Sequence, residues 1–363
     1  MDSELRAKLE AVRGCLSHLA AKDADARRRQ QEEDEDAWMA PFGSPYAADV
    51  NKLLCSKAIR RLGRKTQVVA EPVNGHVRDR LSHTFEVASV ATTVARILGL
   101  NADLCQATAL GHDIGHTPYG HFGEKFMTEL IGKEFRHEVF SVVVAQKIER
   151  KGKGLNLCHR TLRGMLEHSR GEGDLRLGDG AEEGNVTMYA DKIAYVMADF
   201  NDLFSRRSIA EGAPKLDDHP KLAAEMAWFG PNQRSRVATC VAGLCLESAA
   251  KGRVSFADCE AAQRFAAAKK LMYDVYHGIH WEGADEELRL VYEWLEFSQR
   301  CRAPAPVADP RILLALLNDR DVRLIADAWG NCDHPDIDAL SIADVIPHLA
   351  GVTIDLADPD LDW

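Results

Sequence analysis

Five histidines, His83, His112, His116, His121 and His137, fall within 55 residues of a chain that holds 14 in all. Acids stand beside them: Asp113, Glu124 and Glu138. The segment reads RDRLSHTFEV, then GHDIGHTPYGHFGEK, then FRHE. A lone histidine on a helix is usually a satisfied interior residue. Several recurring at helix ends with neighbouring carboxylates make a different pattern, because imidazole and carboxylate together suit Mn, Fe, Zn, Ni or Co. His112 and Asp113 are sequence neighbours, so on a regular helix they point about 100° apart. They reach one ion only near a helix end or from a wide face, where Gly111 and Gly115 leave room. The remaining ligands must come from other elements.

The elements that would place them are legible. Residues 81–98 carry apolar groups at roughly the helical period. Gly99 fits the stop and Asn101 the cap of a second helix running to His112 and Asp113. The short turn makes the two helices antiparallel, which sets His83 beside His112 and Asp113. A fourth ligand, a carboxylate from a later helix, is best supplied by Asp191 in TMYADKIAYVMADFND. In that stretch Asp191, Tyr195 and Asp199 are four apart and share one face.

Other helices are expected at 3–22, 46–66, 122–131, 137–150, 159–169 and 187–204, and throughout 220–300. No sustained alternation marks a strand, so the fold class is all-α. Three parts are expected: an N-terminal helical arm over 1–45, a core over 46–300, and a C-terminal helical extension over 301–363 beyond Pro304, Pro306 and Pro310. The arm carries the charge run from Asp23 to Glu35, which reads as a solvated face. The acidic, glycine-rich stretch 170–184 reads as a mobile loop.

Composition narrows the class. The chain has 363 residues and a net charge of −11, which is unlike a general nucleic-acid binder. A polyanionic substrate would then need a metal or a local basic patch. No apolar run approaches the ~20 residues that span a bilayer, and the first residues lack a secretory apolar block. The expectation is a cytoplasmic protein with no membrane partner. Nine cysteines without a CxxC pair read as free thiols.

These stretches, together with RRLGRKTQV (60–68), ADKIAY (190–195) and a weaker echo in HLAGVTIDLA (348–357), resemble the HD metal-dependent phosphohydrolases. Within them, the chain resembles the deoxynucleoside triphosphate triphosphohydrolases, the dGTPase-like branch. The resemblance covers about residues 46–205 well. It implies an HD-domain helical fold with extra terminal helices, and one divalent metal per subunit, manganese first, with Mg, Fe, Co, Ni or Zn as alternatives. It implies His83, His112, Asp113 and Asp191 as ligands, and His121, Glu124 and His137 as catalytic groups. Arg80 and Lys192 would hold phosphates; Gln67, Tyr195 and Asp199 would surround the deoxyribose. His116 would be a substrate-side or supporting group. The implied reaction releases triphosphate and a deoxynucleoside. The resemblance also implies a homo-oligomer and, for some members, nucleotide effectors.

Departures are visible. Ala198 stands where the branch usually has histidine, and Glu138, Val139 and Phe140 stand where polar amides are common. Two other functions compete: a nucleotide phosphatase acting on monophosphates or other nucleotides, and a nucleotide- or nucleic-acid-sensing module with Arg60, Arg61, Arg64 and Lys65 as its contact surface.

Overall fold

A computed structural model describes residues 3–30, 37, 41, 43–69, 75–169, 182–204, 214–279, 283–301 and 308–356. The helices, in chain order, begin with α1 (Ser3–Ala11), α2 (Pro45–Cys55), α3 (Lys57–Leu62), α4 (Arg80–Leu98) and α5 (Ala102–Gly111). Next come α6 (His121–Ile131), α7 (His137–Val143), which continues as a wider turn over Val144–Ile148, α8 (His159–Glu167) and α9 (Glu182–Phe204). The series closes with α10 (Pro220–Phe229), α11 (Gln233–Lys251), α12 (Glu260–His277), α13 (Ala284–Cys301), α14 (Pro310–Leu316), α15 (Asp319–Gly330) and α16 (Ile346–Leu349). Among the described residues there is no strand, only isolated bridges at Arg28–Cys158 and Thr66–Asp79. The fold is all-α, as the periodicity predicts.

At the centre, α4, α5 and α9 pack against one another, with α2 and α8 on α5 and α11 on α9. Val87, Ala91, Val94, Ala95 and Leu98 form the buried face of α4. Gly99 takes φ +82° and ends the helix. The Asn101 side chain then accepts from Leu104 N, a cap of about 1 kcal/mol. The C-terminal helices pack onto this body: α14 meets α6, and α13 meets α6, α14 and α15. From the first turn of α15, the Asp319 carboxylate accepts from Thr66 N at 2.7 Å and Tyr119 N at 2.9 Å. It thereby pins two loops that border the histidine cluster.

Three expectations need correction. The 3–22 helix stops at Ala11, because Gly14 N and Leu16 N donate instead to Ile97 O and Leu98 O, carbonyls left over at the end of α4. The 46–66 helix is two helices, broken at Ser56, whose ψ of 156° is extended and whose hydroxyl caps α3. The 170–184 loop is shorter than read: Glu182, Glu183 and Gly184 are already helical, and 170–181 lie outside the described residues.

The charge run and the basic cluster are also partly interior. Arg28 donates to Asp49 Oδ1 at 2.5 Å and to two backbone carbonyls, tying the arm to α2. The described part of that run is therefore not a purely solvated face. Arg61 is buried against Glu149 at 2.9 Å, and Lys65 is buried with its ammonium on the His116 and Ala315 carbonyls. Two of its four cations are thus interior, and only Arg60 and Arg64 are exposed for any contact.

Burial, with Arg61 nearby, depresses Lys65 to about 7. Unfolded, it keeps its proton up to about 10.4. Between these values the unfolded chain binds more protons, so Lys65 makes stability rise with pH across the window. Urea unfolding from pH 7 to 9 should show this rise, up to about 1.4 kcal/mol per pH unit. Lys65→Met should flatten it; an unchanged slope would refute the assignment.

Candidate metal centre and active site

His112 and Asp113 lie just past the end of α5, where the chain leaves the helix and both side chains can turn to one point. Gly115 lets this turn press on α7: a Cβ there would lie 2.1 Å from Ser141 N. Ser141 clasps the turn, receiving Gly115 N and donating to His112 O. His83 comes from the first turn of α4 and Asp191 from α9. His83 Nε2 is 3.0 Å from Asp191 Oδ1. His112 Nε2 is 3.5 Å from Asp113 Oδ1 and 3.7 Å from Asp191 Oδ1. All four expected ligands therefore converge.

The donor set fits a divalent cation. His112 Nδ1 bonds the Ala109 carbonyl at 2.6 Å, so it carries the proton and Nε2 presents a lone pair. That Nε2 is buried, aimed at two carboxylates, and has no hydrogen-bond partner. A cation explains such an atom; a hydrogen bond does not. Burial alone would raise Asp191, yet the His83 hydrogen bond and the nearby His112 hold it down to about 2. Asp113 is likewise held well below the carboxylate range by His112 and Arg80 against the effect of burial. Both shifts favour the carboxylate form, the form that a cation would require of them.

A second group adjoins the first. Glu124 joins two imidazoles: Oε1 meets His137 Nδ1 and Oε2 meets His121 Nδ1, each at 2.6 Å. His121 stands on the rim with its side chain 82 % exposed. His116 is buried and stacks on His137 with centroids 4.2 Å apart. Burial would lower His137, but Glu124 and Asp113 push it up to about 9. Burial and the neighbouring cations push His116 well below its usual value. The charges of Glu124 and Asp113 thus favour the protonated form of His137, while His116 stacked on it is pushed towards its neutral form.

A pocket of about 650 Å³ opens over both groups. Gln67, Arg80, Lys192, Tyr195 and Asp199, all singled out in the sequence, line it. Two are engaged differently from expectation. Arg80 donates to Asp113 Oδ2 at 2.7 Å, so it holds a ligand as well as facing the pocket. Asp199 receives Arg78 Nη2, and Tyr276 Oη at 2.8 Å. Gln67 Oε1 is buried without a partner at the pocket wall.

Sequence reasoning missed several residues here. His168, at the end of α8, is buried with Nε2 3.3 Å from His137 Nε2 and its ring 4.8 Å from that of His112. Burial, with His112 and His137 nearby, lowers it to about 4. From α12 come Lys269, Tyr273, Tyr276 and His277. Arg78 is buried among Glu86, Asp199 and Asp202; their charges raise it above its ordinary value although burial opposes this. Arg78 opens the quoted stretch RDRLSHTFEV and that was its only signal; His168 and the α12 residues had none. The nine cysteines are free thiols, and none lines this pocket.

Relatives share the pattern. The HD domain family profile matches residues 80–196, which carry the four converging ligands. A deoxyguanosinetriphosphate triphosphohydrolase-like protein of Caldanaerobacter subterraneus subsp. tengcongensis is 37 % identical over 280 residues, covering 77 % of this chain and 78 % of its own. The chain belongs to the deoxyguanosinetriphosphate triphosphohydrolase-like family. Further family members are a protein of Clostridium perfringens strain 13, 36 % identical over 80 % of this chain and 83 % of its own, and one of Cereibacter sphaeroides, 28 % identical over 93 % and 96 %. The similarity to these dGTPase-like proteins extends beyond the HD match into the terminal helices. Among the described residues no helix is long and apolar enough to cross a membrane.

Proposed function

We propose that this protein hydrolyses deoxynucleoside triphosphates to a deoxynucleoside and inorganic triphosphate, using one divalent cation per subunit, manganese first. One observation carries the reading: a single pocket joins the four-ligand cluster, the Glu124 pair of imidazoles, the cations Arg80 and Lys192, and an aromatic wall of Tyr195, Tyr273 and Tyr276. Reacting groups occupy one end and groups suited to a nucleoside the other. The names of its relatives agree with it.

When bound by His83, His112, Asp113 and Asp191, the cation supplies Lewis acidity at a phosphate oxygen and acidifies water. The protein's own groups do the rest. Arg80 and Lys192 offset phosphate charge. His137, oriented by Glu124 and packed between His116 and His168, positions the attacking water. As water bonds to the α-phosphorus and passes one proton to a non-bridging phosphate oxygen, which leaves with the triphosphate, the bond from phosphorus to the 5′ oxygen breaks. His121, on the rim and fixed by Glu124, gives that oxygen its proton. Gln67 and Asp199 serve the 3′ hydroxyl, Gln67 through its unpartnered carbonyl.

Assaying all four dNTPs with Mn, Mg and Co, with triphosphate detected directly, tests the proposal. Triphosphate release is expected. Orthophosphate release from monophosphates alone would favour the phosphatase reading instead. The proposal extends to a cytoplasmic homo-oligomer that takes nucleotide effectors.

Tyr195 provides a sharper check. Its ring lines the pocket and its hydroxyl lies 3.4 Å from that of Tyr273, so it is held in place. An aromatic ring against C2′ leaves no room for a ribose hydroxyl. Tyr195→Ala should raise the ribo-to-deoxy ratio of kcat/KM about tenfold or more. A ratio that stays at the wild-type value would assign sugar selection elsewhere.

A further inference from the structure

On the far side of α8 from the catalytic pocket lies a second cavity, of about 250 Å³. Its walls are the outer face of α8, with His159, Arg160 and Arg163, and the N-terminal segment that includes Arg27. Thr108 of α5 and the glycines Gly164 and Gly184 complete it. In a chain of net charge −11, three guanidiniums and an imidazole around one small cavity stand out.

The ordinary account of charged residues on an amphipathic helix is a solvated face. Two observations argue against it here. The N-terminal segment is fastened across that face: His159 N donates to Arg27 O at 2.7 Å, and Arg160 Nη2 lies 3.4 Å from Asp25 Oδ2. The cations therefore border a walled space. At its base, Thr108 is 1 % exposed and its hydroxyl has no hydrogen-bond partner. A buried unpaired hydroxyl is destabilising, and a ligand that accepts its proton would recover that cost. The positive field is also felt inside the cavity: burial, then Arg163, Arg160 and Arg27, lower the His159 imidazole.

We propose that this cavity is a second anion site that takes the phosphate oxyanions of a polyphosphate, held by Arg27, Arg160 and Arg163 with Thr108 donating from below. Guanidinium planes match phosphate oxygens two at a time. Asp25 and Glu167, which now face Arg160 and Arg163, set the limit on anion affinity. Size decides how much of a ligand enters. Sites for whole drug-sized molecules run to about 300–1,000 Å³, so this one fits a phosphate chain and leaves any attached nucleoside outside. The opposite face of α8 presents Met165 and His168 to the interior, so the occupant sits one helix away from the reacting groups.

Calorimetric titration of the full-length holoprotein with inorganic tripolyphosphate, and separately with ATP, tests the site. The expected result is a binding event that survives Lys192→Ala in the catalytic pocket but weakens about tenfold or more in Arg160→Ala/Arg163→Ala. This outcome is independent of whatever the catalytic pocket binds. Thr108→Val is the control for folding: it removes a hydroxyl that bonds nothing, so thermal unfolding without anion should not fall, while tripolyphosphate binding should weaken. Equal affinities for the two ligands would identify the phosphate chain as the whole determinant. Tighter ATP binding, still arginine-dependent, would add a contact to the nucleoside at the rim. The proposal is overturned if Lys192→Ala abolishes all binding, or if the folded arginine and threonine variants both bind as the wild type does.

Discussion

Asp113→Asn is expected to abolish stoichiometric metal and to lower hydrolysis by on the order of 10³ or more. The size follows from what a cation contributes: several kcal/mol at the transition state, with each 1.36 kcal/mol worth a factor of ten. Asp113 is the right residue because it is a candidate ligand that also joins the two histidine groups to Arg80. Its Oδ1 lies 3.5 Å from His112 Nε2 and 3.6 Å from His137 Nε2, and its Oδ2 accepts from Arg80 at 2.7 Å. Asparagine keeps the shape and one acceptor oxygen and removes the charge. Arg80 can then keep a hydrogen bond, which matters because stranding a buried cation costs about 3–5 kcal/mol and would confuse loss of metal with loss of fold. Metal content by elemental analysis and dNTP turnover, alongside an unchanged helical circular dichroism spectrum, give the readout. A variant with full metal and full turnover would remove Asp113 from the centre.

The convergence of His83, His112 and Asp113 was readable from sequence because it depends on local rules, whereas Asp191 was only the best candidate on a later helix. The antiparallel pair α4 and α5 follows from the stop at Gly99 and the cap at Asn101, and this geometry alone brings His83 to His112. The adjacency of His112 and Asp113 called for a helix end or a wide face, and it is the helix end that the structure provides. Asp191, Tyr195 and Asp199 share a face by spacing, and all three line the pocket.

What was not readable depends on packing between distant segments. His168 follows an unremarkable amphipathic helix, and only the docking of α8 on α5 and α7 turns it inward. Tyr273 and Tyr276 look like any aromatic pair on a half-buried helix; the approach of α12 to α9 makes them a pocket wall. Arg80 was assigned to phosphate on resemblance, and its bond to Asp113 needed coordinates. The early stop of α1 has the same origin. Nothing in residues 12–16 forbids a helix, but the carbonyls at the end of α4 compete for their N–H groups. There a Cβ on Gly99 would meet Gly14 Cα at 2.8 Å, so the close approach of two glycines decides the path.

Glu124→Gln should lower kcat by about 10²–10⁴ with a much smaller change in KM, because Glu124 serves two groups assigned to proton handling and touches neither sugar nor base in the proposed pose. Both of its oxygens are committed, Oε1 to His137 and Oε2 to His121. A carboxylate accepts on both sides, so both Nδ1 atoms carry protons; His121 Nε2 is turned away from Glu124 on the exposed rim, and His137 Nε2 is turned towards His168 and Asp113. Glutamine accepts on one side and donates on the other. Whichever way the amide turns, one imidazole meets an N–H, must reverse its tautomer or swing away, and loses its role. His137 also loses the charge that keeps it cationic against burial. Stability should respond little by comparison, since the amide fills the same space and keeps one hydrogen bond. Single-turnover measurements at saturating dNTP separate chemistry from product release. A wild-type single-turnover rate in Glu124→Gln would show that these imidazoles line the pocket without acting in it.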